Sequence, residues 1–303
     1  MSPTIFVVAA TGTLGKATAL ELTKIDWNVH ATVRDPASPA AKELASAGVR
    51  LFTGDWDNEQ VLREAMAGCD GLFLNLTPSF TDPEADVRQG TSIITIAKAV
   101  GIKHAVHSTG ITAIDGRFEP TSPMAIYLNN KKKVEDVVRA AGFEYYTILR
   151  PAAFMANWLA PKIGMYRGLA ETGTFTTALK PDTVIPCIDE YDLAAFAIAA
   201  FKDPARFHRQ EVPVASATYT TAQILESLSQ ATGRKITGNY LSDEEAAEIG
   251  KTDIFILSQK GTRDLGDYFN MDEVASWGIP LHTFQQFLER EKASVDKTYA
   301  GIR

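Results

Sequence analysis

Short apolar runs alternate with longer amphipathic segments through the first half of the chain. Each run has four to six residues, and together they predict six strands: Ile5–Ala9, Val29–Val33, Val49–Phe52, Gly71–Leu76, His104–Ser108 and Tyr145–Leu149. Helix-length segments lie between them, near residues 14–26, 38–47, 58–67, 83–101 and 123–141. Strands that alternate with helices form parallel sheets with helices on both faces. The pattern therefore predicts an α/β fold with a doubly wound parallel sheet.

The second half of the chain is less regular and contains more helix. An aromatic and methionine-rich segment, Phe154–Gly168, leads into a predicted loop around Gly168–Pro181. The later patterns predict strand Thr183–Ile188, helix Tyr191–Phe201, strand Glu211–Ala215, and helices near 221–232, 242–249 and 283–292. We expect residues 1–150 to form one domain, to which 183–216 returns. Residues 151–303 should form a smaller, mostly helical C-terminal lobe, with a cleft between the two.

Composition and charge exclude several classes of protein. The 303 residues are 45% hydrophobic and 22% charged, which is typical of a soluble globular chain and not of a disordered or fibrous one. The net charge is −7, and Lys131–Lys133 is the longest basic run. Because phosphate neutralisation drives nucleic-acid binding, we expect no nucleic-acid partner.

The sequence also predicts a cytoplasmic protein that does not enter a membrane. No uncharged apolar stretch reaches the roughly 18–20 residues that cross a bilayer. The first residues lack the basic region of a signal peptide. Cys69 and Cys187 lie far apart and without metal-ligand spacing, so we expect two free thiols in a reducing compartment.

A glycine turn follows the first predicted strand directly. It reads Ala10-Thr11-Gly12-Thr13-Leu14-Gly15, and a helical pattern comes after it. Gly12 would let the backbone approach a pyrophosphate, and the helix N-terminus would offer it free N–H donors. Gly15 would let the helix pack closely on the sheet, although Ala9 replaces the usual first glycine. A P-loop is excluded because Lys16 is followed by alanine. The turn predicts a dinucleotide-binding domain of the Rossmann type.

The end of the second predicted strand bears on which dinucleotide is bound. Arg34 at the strand tip would place a cation where the 2′-phosphate of NADP lies. An NAD-binding chain usually carries an acid there, and Asp35 is one residue past the tip. The pattern favours NADP, used as NADPH. Asp35 keeps NAD open, and Arg34 as a solvated surface residue is the remaining alternative.

Tyr127 and Lys131 lie one helical turn apart in the segment that follows the fifth predicted strand. Their spacing places them on one stripe with Val134 and Val138. A lysine ammonium favours the ionised form of a nearby phenol, which makes Tyr127 a better proton donor or acceptor. Two structural alternatives are that Lys131 pairs with Glu135 and that Tyr127 covers the edge of the core.

At this point the chain resembles the NmrA-like family of atypical short-chain dehydrogenases/reductases. The resemblance covers nearly the whole chain, and it rests on an ordered set of segments. These are Ala10–Gly15, Arg34–Pro36, Gly54–Asp57, Leu74–Pro78, Lys131 with Val134, Glu135 and Gly142, and Thr147–Pro151 with Phe154 and Asn157. Tyr127 is a tyrosine that many members of the family have lost, and its presence favours chemistry over cofactor sensing.

The resemblance implies roles for individual residues. Thr11, Gly12, Thr13, Leu14 and Gly15 would hold the pyrophosphate and Arg34 the 2′-phosphate. Asp55 and Trp56 would border the adenine, Asn75 and Thr77 would lie along the cofactor, and Lys131 would reach the nicotinamide ribose. The serine of related reductases would fall at Ser108 or Thr109, and the sequence does not choose between them. Phe154 and Trp158 follow the last predicted strand of the sheet and would border the substrate.

The sequence as a whole predicts an NADPH-dependent reductase. Hydride would pass from the nicotinamide to a small or medium apolar carbonyl, quinone or conjugated substrate. Tyr127 would donate a proton, and Lys131 would assist it and bind the ribose. The alternative is a non-catalytic NADP(H)-sensing regulator that binds a partner protein. No metal is expected, because the five histidines are scattered, and Asp189, Glu190 and Asp192 fit a helix N-terminus.

Overall fold

The computed structural model describes residues 2–77, 79, 82–111 and 115–302. Pro78, part of the family pattern, lies outside these residues. By internal contacts the chain divides into two compact units. The first, the sheet unit, comprises Met1–Asp115, Ile126–Pro151 and Leu193–Val212. The second, the C-terminal unit, comprises Gly116–Ala125, Ala152–Asp192 and Pro213–Arg303.

The described residues form twelve strands. They are β1 Thr4–Val7, β2 Asn28–Val33, β3 Arg50–Thr53, β4 Gly71–Asn75, β5 His104–Ser108, β6 Tyr145–Pro151, β7 Ala153–Phe154, β8 Thr174–Thr177, β9 Val184–Ile188, β10 Glu211–Val214, β11 Ala217–Thr220 and β12 Thr237–Tyr240.

The same residues form fourteen α-helices, joined in places by short 3-10 turns. They are α1 Thr13–Lys24, α2 Pro39–Ser46, α3 Glu59–Met66, α4 Ala85–Ala99, α5 Pro123–Ala140, α6 Leu169–Thr172, α7 Glu190–Lys202, α8 Pro204–Phe207, α9 Thr221–Thr232, α10 Asp243–Gly250, α11 Ile254–Gly261, α12 Met271–Ser276, α13 Phe284–Arg290 and α14 Lys292–Thr298. None of the described helices is long and apolar enough to cross a membrane.

Seven strands form one sheet in the order β10-β6-β5-β4-β1-β2-β3. β1 lies between β2 and β4 and pairs with both in parallel, with Ile5 opposite Val29 on one side and Gly71 on the other. From β1 the strand order runs outward in both directions, which creates a switch point at the carboxyl ends of β1 and β4. The predicted doubly wound parallel sheet is confirmed.

Apolar side chains between the sheet and its helices form the core of the sheet unit. Phe6 of β1 and Leu72 and Leu74 of β4 are fully buried in it. Leu62 and Met66 of α3 pack into the same cluster, with Ile93, Ile94 and Ile96 of α4. Burial of each such side chain contributes about 1.5–3 kcal/mol. The strands are thereby fixed in register, and so are the loops at their ends.

The C-terminal unit is mostly helical, as predicted, and it also contains two small sheets. These have the strand orders β11-β9-β7 and β12-β8. Its core includes Phe175, Leu225, Phe284, Phe287 and Tyr299, all of which are buried. α9 and α13 each begin with a capping box, in which a threonine side chain and a glutamine three residues later satisfy two backbone N–H groups.

The prediction of a loop around Gly168–Pro181 is wrong for residues 169–177, which contain a helix and a strand. Residues Leu169–Thr172 form α6, and Thr174–Thr177 form β8. Gly168 and Gly173 flank α6 with φ of +77° and +71°, a conformation that glycine adopts at little cost. β8 then pairs in parallel with β12, with Thr174 opposite Thr237. The threonine-rich sequence of β8 lacks the apolar alternation that predicts a strand, and its partner lies some 60 residues away.

Candidate cofactor and catalytic site

The glycine turn joins β1 to α1 at the switch point of the sheet. Ala9 adopts a φ of +54°, which lies in the left-handed region where glycine is usual. β1 therefore ends at Val7, two residues before the predicted end. The N–H of Gly12 donates to the carbonyl oxygen of Ala9 at 2.8 Å and closes the turn. Replacement of the usual glycine by Ala9 is thus accommodated in this turn.

The backbone at the start of α1 is open to a ligand. Thr11, Gly12 and Thr13 are exposed, and Gly12 takes the N-cap position without any side-chain cap. The first N–H groups of a helix have no partner within it, so those of α1 can donate to an anion. Leu14 and Gly15 are buried against the sheet. A Cβ on Gly15 would lie 2.2 Å from the carbonyl oxygen of Ala9, so only glycine fits there.

Arg34 and Asp35 differ in what they bind at the end of β2. Arg34 directly follows the last strand residue, is exposed, and forms no ion pair within the described part of the chain. Asp35 instead stabilises the next turn, because its Oδ1 accepts from the N–H of Ala37 at 2.8 Å. The guanidinium is therefore available to a ligand, while the carboxylate already has a structural partner.

The other predicted cofactor residues also lie at carboxyl ends of strands. Asp55 and Trp56 follow β3, where Asp55 Oδ1 accepts from the N–H of Asp57 at 3.1 Å and Trp56 packs partly into the core. Asn75 is the last residue of β4 and is half-buried, and Thr77 beyond it is exposed. In parallel strands these ends face one edge of the sheet.

Tyr127 and Lys131 lie next to each other on α5. The Nζ of Lys131 is 5.0 Å from the centre of the Tyr127 ring, and both side chains are half-buried. The aliphatic part of Lys131 runs close to the backbone of Gly110, where an added Cβ would lie 3.6 Å from its Cδ. The two residues that the sequence singled out therefore form one cationic and phenolic pair.

The alternative partner proposed for Lys131 is already occupied. Glu135 is almost completely buried, and its Oε2 accepts from Arg139 at 2.8 Å and from Arg150 at 2.7 Å. Arg150 also contacts Glu211 at 2.7 Å. Lys131 has no ion pair with any described residue. Its charge is thus left beside Tyr127.

Two buried polar groups, on β5 and α4, are affected by the charge of Lys131 and were not recognised from the sequence. His107 of β5 donates from Nδ1 to the carbonyl oxygen of Leu74 at 3.0 Å, and its buried Nε2 has no partner among the described residues. Burial lowers the pKa of His107 to about 3, and the charge of Lys131 acts in the same direction. Burial raises the pKa of Asp86, although the charge of Lys131 opposes this. These groups lie on β5 and α4, so no local pattern connects them with α5.

Ser108 and Thr109 lie at the end of β5 and are buried. The N–H of Thr109 donates to the carbonyl oxygen of Leu149 at 2.9 Å. Its hydroxyl is buried and has no hydrogen-bond partner in the described ranges. Both hydroxyl groups therefore remain candidates for the position of the family serine.

Phe154 and Trp158, the predicted substrate residues, belong to the C-terminal unit. Phe154 is half-buried in β7, opposite Ile188 of β9. Trp158 is only 2% exposed and lies in the wall of a cavity in that unit. Most of the side chain of Trp158 therefore belongs to the core.

Asp189, Asp192 and His282 each have one oxygen or nitrogen atom that could bind a metal, and these three atoms lie within 4.8 Å of one another. Protein donors already occupy these atoms. Asp189 accepts from both terminal nitrogens of Arg290 at 2.6 and 3.1 Å. Asp192 accepts from Ser216 at 2.5 Å and binds the backbone N–H and the ring of His282. The cluster therefore links the start of α7, through Asp192, to His282 in the segment before α13. Asp192 can also interact favourably with the dipole of α7.

The sheet order, the glycine turn and the polar residues at the strand ends define a Rossmann-type α/β protein. A sequence model of the NmrA-like family matches residues 1–273, and the chain belongs to that family. The NAD(P)H azoreductase of Xenophilus azovorans is 32% identical over 248 residues, which cover 80% of this chain and 79% of that protein.

Solved structures share the fold at lower sequence identity. The NADPH-dependent quinone oxidoreductase of Escherichia coli, in complex with NADPH, matches with a TM-score of 0.71 at 24% identity. The match covers 94% of this chain and 99% of that one. Nmra, a negative transcriptional regulator in complex with NAD, matches with a TM-score of 0.69 at 20% identity, covering 100% of this chain and 92% of that one. One fold thus serves a reductase and a regulator.

Proposed function

We propose that this protein is an NADPH-dependent reductase of the NmrA-like family. Its substrate is a small or medium-sized apolar carbonyl, quinone or other conjugated compound. The observation that carries the proposal is the Tyr127–Lys131 pair on α5, with Lys131 beside the phenol and without an ion pair to any described residue. A relative at 32% identity that is a reductase supports the same class of reaction.

The sheet unit fits a dinucleotide at its switch point. The uncapped N-terminus of α1 and the exposed backbone of Thr11–Thr13 offer N–H donors to the pyrophosphate. A Cβ on Gly12 would lie 3.2 Å from the carbonyl oxygen of Ala9, so a larger residue would crowd this backbone. Arg34 would bind the 2′-phosphate, because its guanidinium is exposed and unpaired among the described residues while Asp35 is engaged. This arrangement favours NADPH over NADH.

The remaining cofactor contacts follow the family pattern along the strand ends. Asp55 and Trp56 would border the adenine, and Asn75 and Thr77 would lie along the central part of the cofactor. Lys131 would bind the nicotinamide ribose. Each of these residues stands at or beyond the carboxyl end of its strand or on α5, where a Rossmann-type sheet places its ligand.

Bound NADPH supplies the hydride, and the chain supplies orientation and a proton. The hydroxyl of Tyr127 donates its proton to the substrate oxygen or nitrogen that becomes negatively charged. Lys131 stabilises the phenolate that remains, because its ammonium lies beside the ring and Glu135 is held by two arginines. A proton from solvent then restores the phenol.

The proposal is tested by NADPH oxidation with a panel of acceptors. The panel contains 2-methyl-1,4-naphthoquinone, the azo dye methyl red and acetophenone, and each is compared with a reaction without acceptor. We expect acceptor-dependent loss of NADPH absorbance with at least one of them. NADPH binding without oxidation by any acceptor would contradict the reductase and favour the non-catalytic sensor.

A further inference from the structure

The C-terminal unit contains a cavity that the cofactor residues do not form. Its volume is about 170 Å³, and aromatic and aliphatic side chains make up most of its wall. Ser258, Gln259 and Thr262 contribute polar groups from α11 and its C-terminal end. None of the described residues that line it is charged. A charged ligand would lose its hydration there without an opposite charge, so the cavity favours a neutral one.

Three aromatic rings form one wall of the cavity. The ring centres of Trp158 and Tyr166 are 4.8 Å apart, and each lies 5.2 Å from the centre of Phe175. Trp158 and Phe175 are almost completely buried, and the hydroxyl of Tyr299 fixes the backbone oxygen of Trp158 at 2.8 Å. A wall held in this way is preformed. Such rings favour a flat ligand, because stacked and edge-on contacts both need planar partners.

Gln259 lines the cavity and carries a hydrogen-bond donor that no described residue uses. Its Oε1 accepts from the hydroxyl of Thr177 at 2.8 Å and from the N–H of Ala178 at 3.0 Å, which sets the orientation of the amide. The Nε2 group at the other end of the amide has no partner among the described residues. Ser258 and Thr262 differ, because their hydroxyls donate to backbone oxygens of α11. The amide is therefore a donor left for a ligand.

Tyr166 offers a second donor. Its hydroxyl has no hydrogen-bond partner in the described part of the chain, and its ring lines the cavity. Burial raises the pKa of Tyr166, so the group stays a neutral O–H at physiological pH. Two of the residues that line the cavity thus carry a donor without a partner among the described residues, and a ligand with an acceptor would satisfy these donors.

The volume sets how much of a ligand can enter the cavity. An apolar cavity of roughly 150 Å³ holds one benzene ring. The present cavity, at about 170 Å³, takes one six-membered ring with a small substituent.

We infer that this cavity binds one uncharged aromatic or quinonoid ring that carries an oxygen or nitrogen acceptor. The N–H of Gln259 and the O–H of Tyr166 donate to that acceptor, while Trp158 and Phe175 contact the ring. The assignment of this ring to the substrate of the reductase rests on the proposed function. Binding of the ring itself does not.

Two ligands of matched shape test the inference in the full chain without cofactor. Acetophenone carries a carbonyl acceptor, whereas ethylbenzene has the same ring and a similar substituent without one. Their affinities are measured by calorimetric titration or by ligand-observed saturation-transfer NMR. We expect both to bind and acetophenone to bind more tightly.

Two variants remove the donors one at a time. Tyr166→Phe keeps the ring, and Gln259→Glu keeps an oxygen that accepts from Thr177 and Ala178. Each should weaken acetophenone binding by about 3- to 10-fold more than ethylbenzene binding, the difference expected for one hydrogen bond. Tyr240→Phe is the control, because Tyr240 lies on β12 and does not line the cavity.

The outcomes separate the cavity from the proposed function. Failure of both ligands to bind, or equal losses for both in each variant, overturns the inference. In another outcome, both variants reduce the acceptor panel normally with an unchanged KM for acetophenone. This result would contradict the assignment of the cavity to the substrate but would not contradict the proposed reductase. Donor-dependent binding of acetophenone without turnover of any acceptor supports the cavity and contradicts the reductase.

Discussion

The two units of the chain present ligand-binding groups in different ways. In the sheet unit, the candidate pyrophosphate contacts come from exposed backbone at the start of α1, and Arg34 and Lys131 supply positively charged side chains. In the C-terminal unit, the cavity is lined by side chains, and Tyr166 and Gln259 contribute donors that have no partner among the described residues. Backbone N–H groups bind a phosphate whatever the neighbouring side chains are. Under the proposed function, the sheet unit keeps one cofactor while the C-terminal unit sets the substrate.

The largest effect is expected in the sheet unit, at Tyr127. Tyr127→Phe keeps the ring and its packing but deletes the hydroxyl. Turnover should fall by about 10²- to 10⁴-fold, the range for loss of a general acid, while NADPH affinity stays nearly constant. Steady-state oxidation of NADPH and a separate cofactor titration measure the two quantities.

Lys131→Met is the matched comparison on the same helix face. It removes the charge beside the phenol and a contact to the ribose, so turnover and NADPH affinity should fall together. If Tyr127→Phe reduces a good substrate at the wild-type rate, the proton comes from another group and Tyr127 has a packing role.

The next largest effect is expected at the glycine turn. Gly12→Val places a side chain over the backbone that would contact the pyrophosphate, so dinucleotide binding should weaken by about 100-fold or more. The circular dichroism spectrum should remain that of a folded protein. Gly164→Val is the control, because a Cβ at Gly164 meets open space in the C-terminal unit. Intact NADPH binding in Gly12→Val would place the cofactor elsewhere.

A smaller and more selective effect is expected at Arg34. Arg34→Ala should weaken NADPH binding by about 1–3 kcal/mol, roughly 5- to 150-fold, because a charge-assisted contact to the 2′-phosphate is lost. NADH binding should hardly change. Parallel titrations of wild type and variant with both cofactors provide the test. Equal affinities of the wild type for NADPH and NADH would contradict the role of Arg34.

The smallest effect concerns stability, where the two units should respond to pH in opposite directions. Burial lowers the pKa of His104 in the sheet unit to about 4, and the neighbouring His208 adds to this. Below pH 6.5, His104 is protonated in the unfolded chain but stays neutral in the folded chain. The free energy of unfolding therefore falls as pH drops from 6.5 towards 4. At pH 5.5 the wild type should have lost about 1 kcal/mol of stability through His104, and His104→Phe should not show this loss.

Glu190 in the C-terminal unit has the reverse dependence. Burial raises its pKa to about 7, so the folded state holds a proton that the unfolded state releases above 4.5. Stability from this group is present at low pH and is lost as pH rises from 4.5 to 7. Glu190→Gln should flatten that part of the curve. Calorimetric unfolding from pH 4.5 to 8 measures both variants, and a wild-type pH profile in either variant would contradict the assignment.

The fold of the sheet unit was predictable because its signals are local. Each of the six predicted strands has a counterpart within a few residues, since buried parallel strands are continuous apolar runs. The C-terminal unit was less predictable. β8 and β12 are short and polar and exist because they pair with each other, and the eight-residue helix α11 has too few turns for a clear periodicity.

The candidate site shows the same division. Tyr127 and Lys131 were predicted to be neighbours because they lie on one helix, where spacing fixes the distance. The engagement of Glu135 by Arg150 and the proximity of His107 to Lys131 were not predictable. These contacts join different elements, and only the packed sheet brings them together. The donor of Gln259 became apparent only when the structure showed what its other end accepts.

Hydride transfer with Tyr127 as proton donor is tested most directly by single-turnover kinetics. NADPH, or NADPH deuterated at the transferred C4 position, is bound to the enzyme and mixed with an acceptor in a stopped-flow instrument. We predict oxidation that requires the acceptor, is slower with the deuterated cofactor, and slows further in Tyr127→Phe. Oxidation at one rate with both cofactors, or at the wild-type rate in Tyr127→Phe, would contradict the proposed reaction.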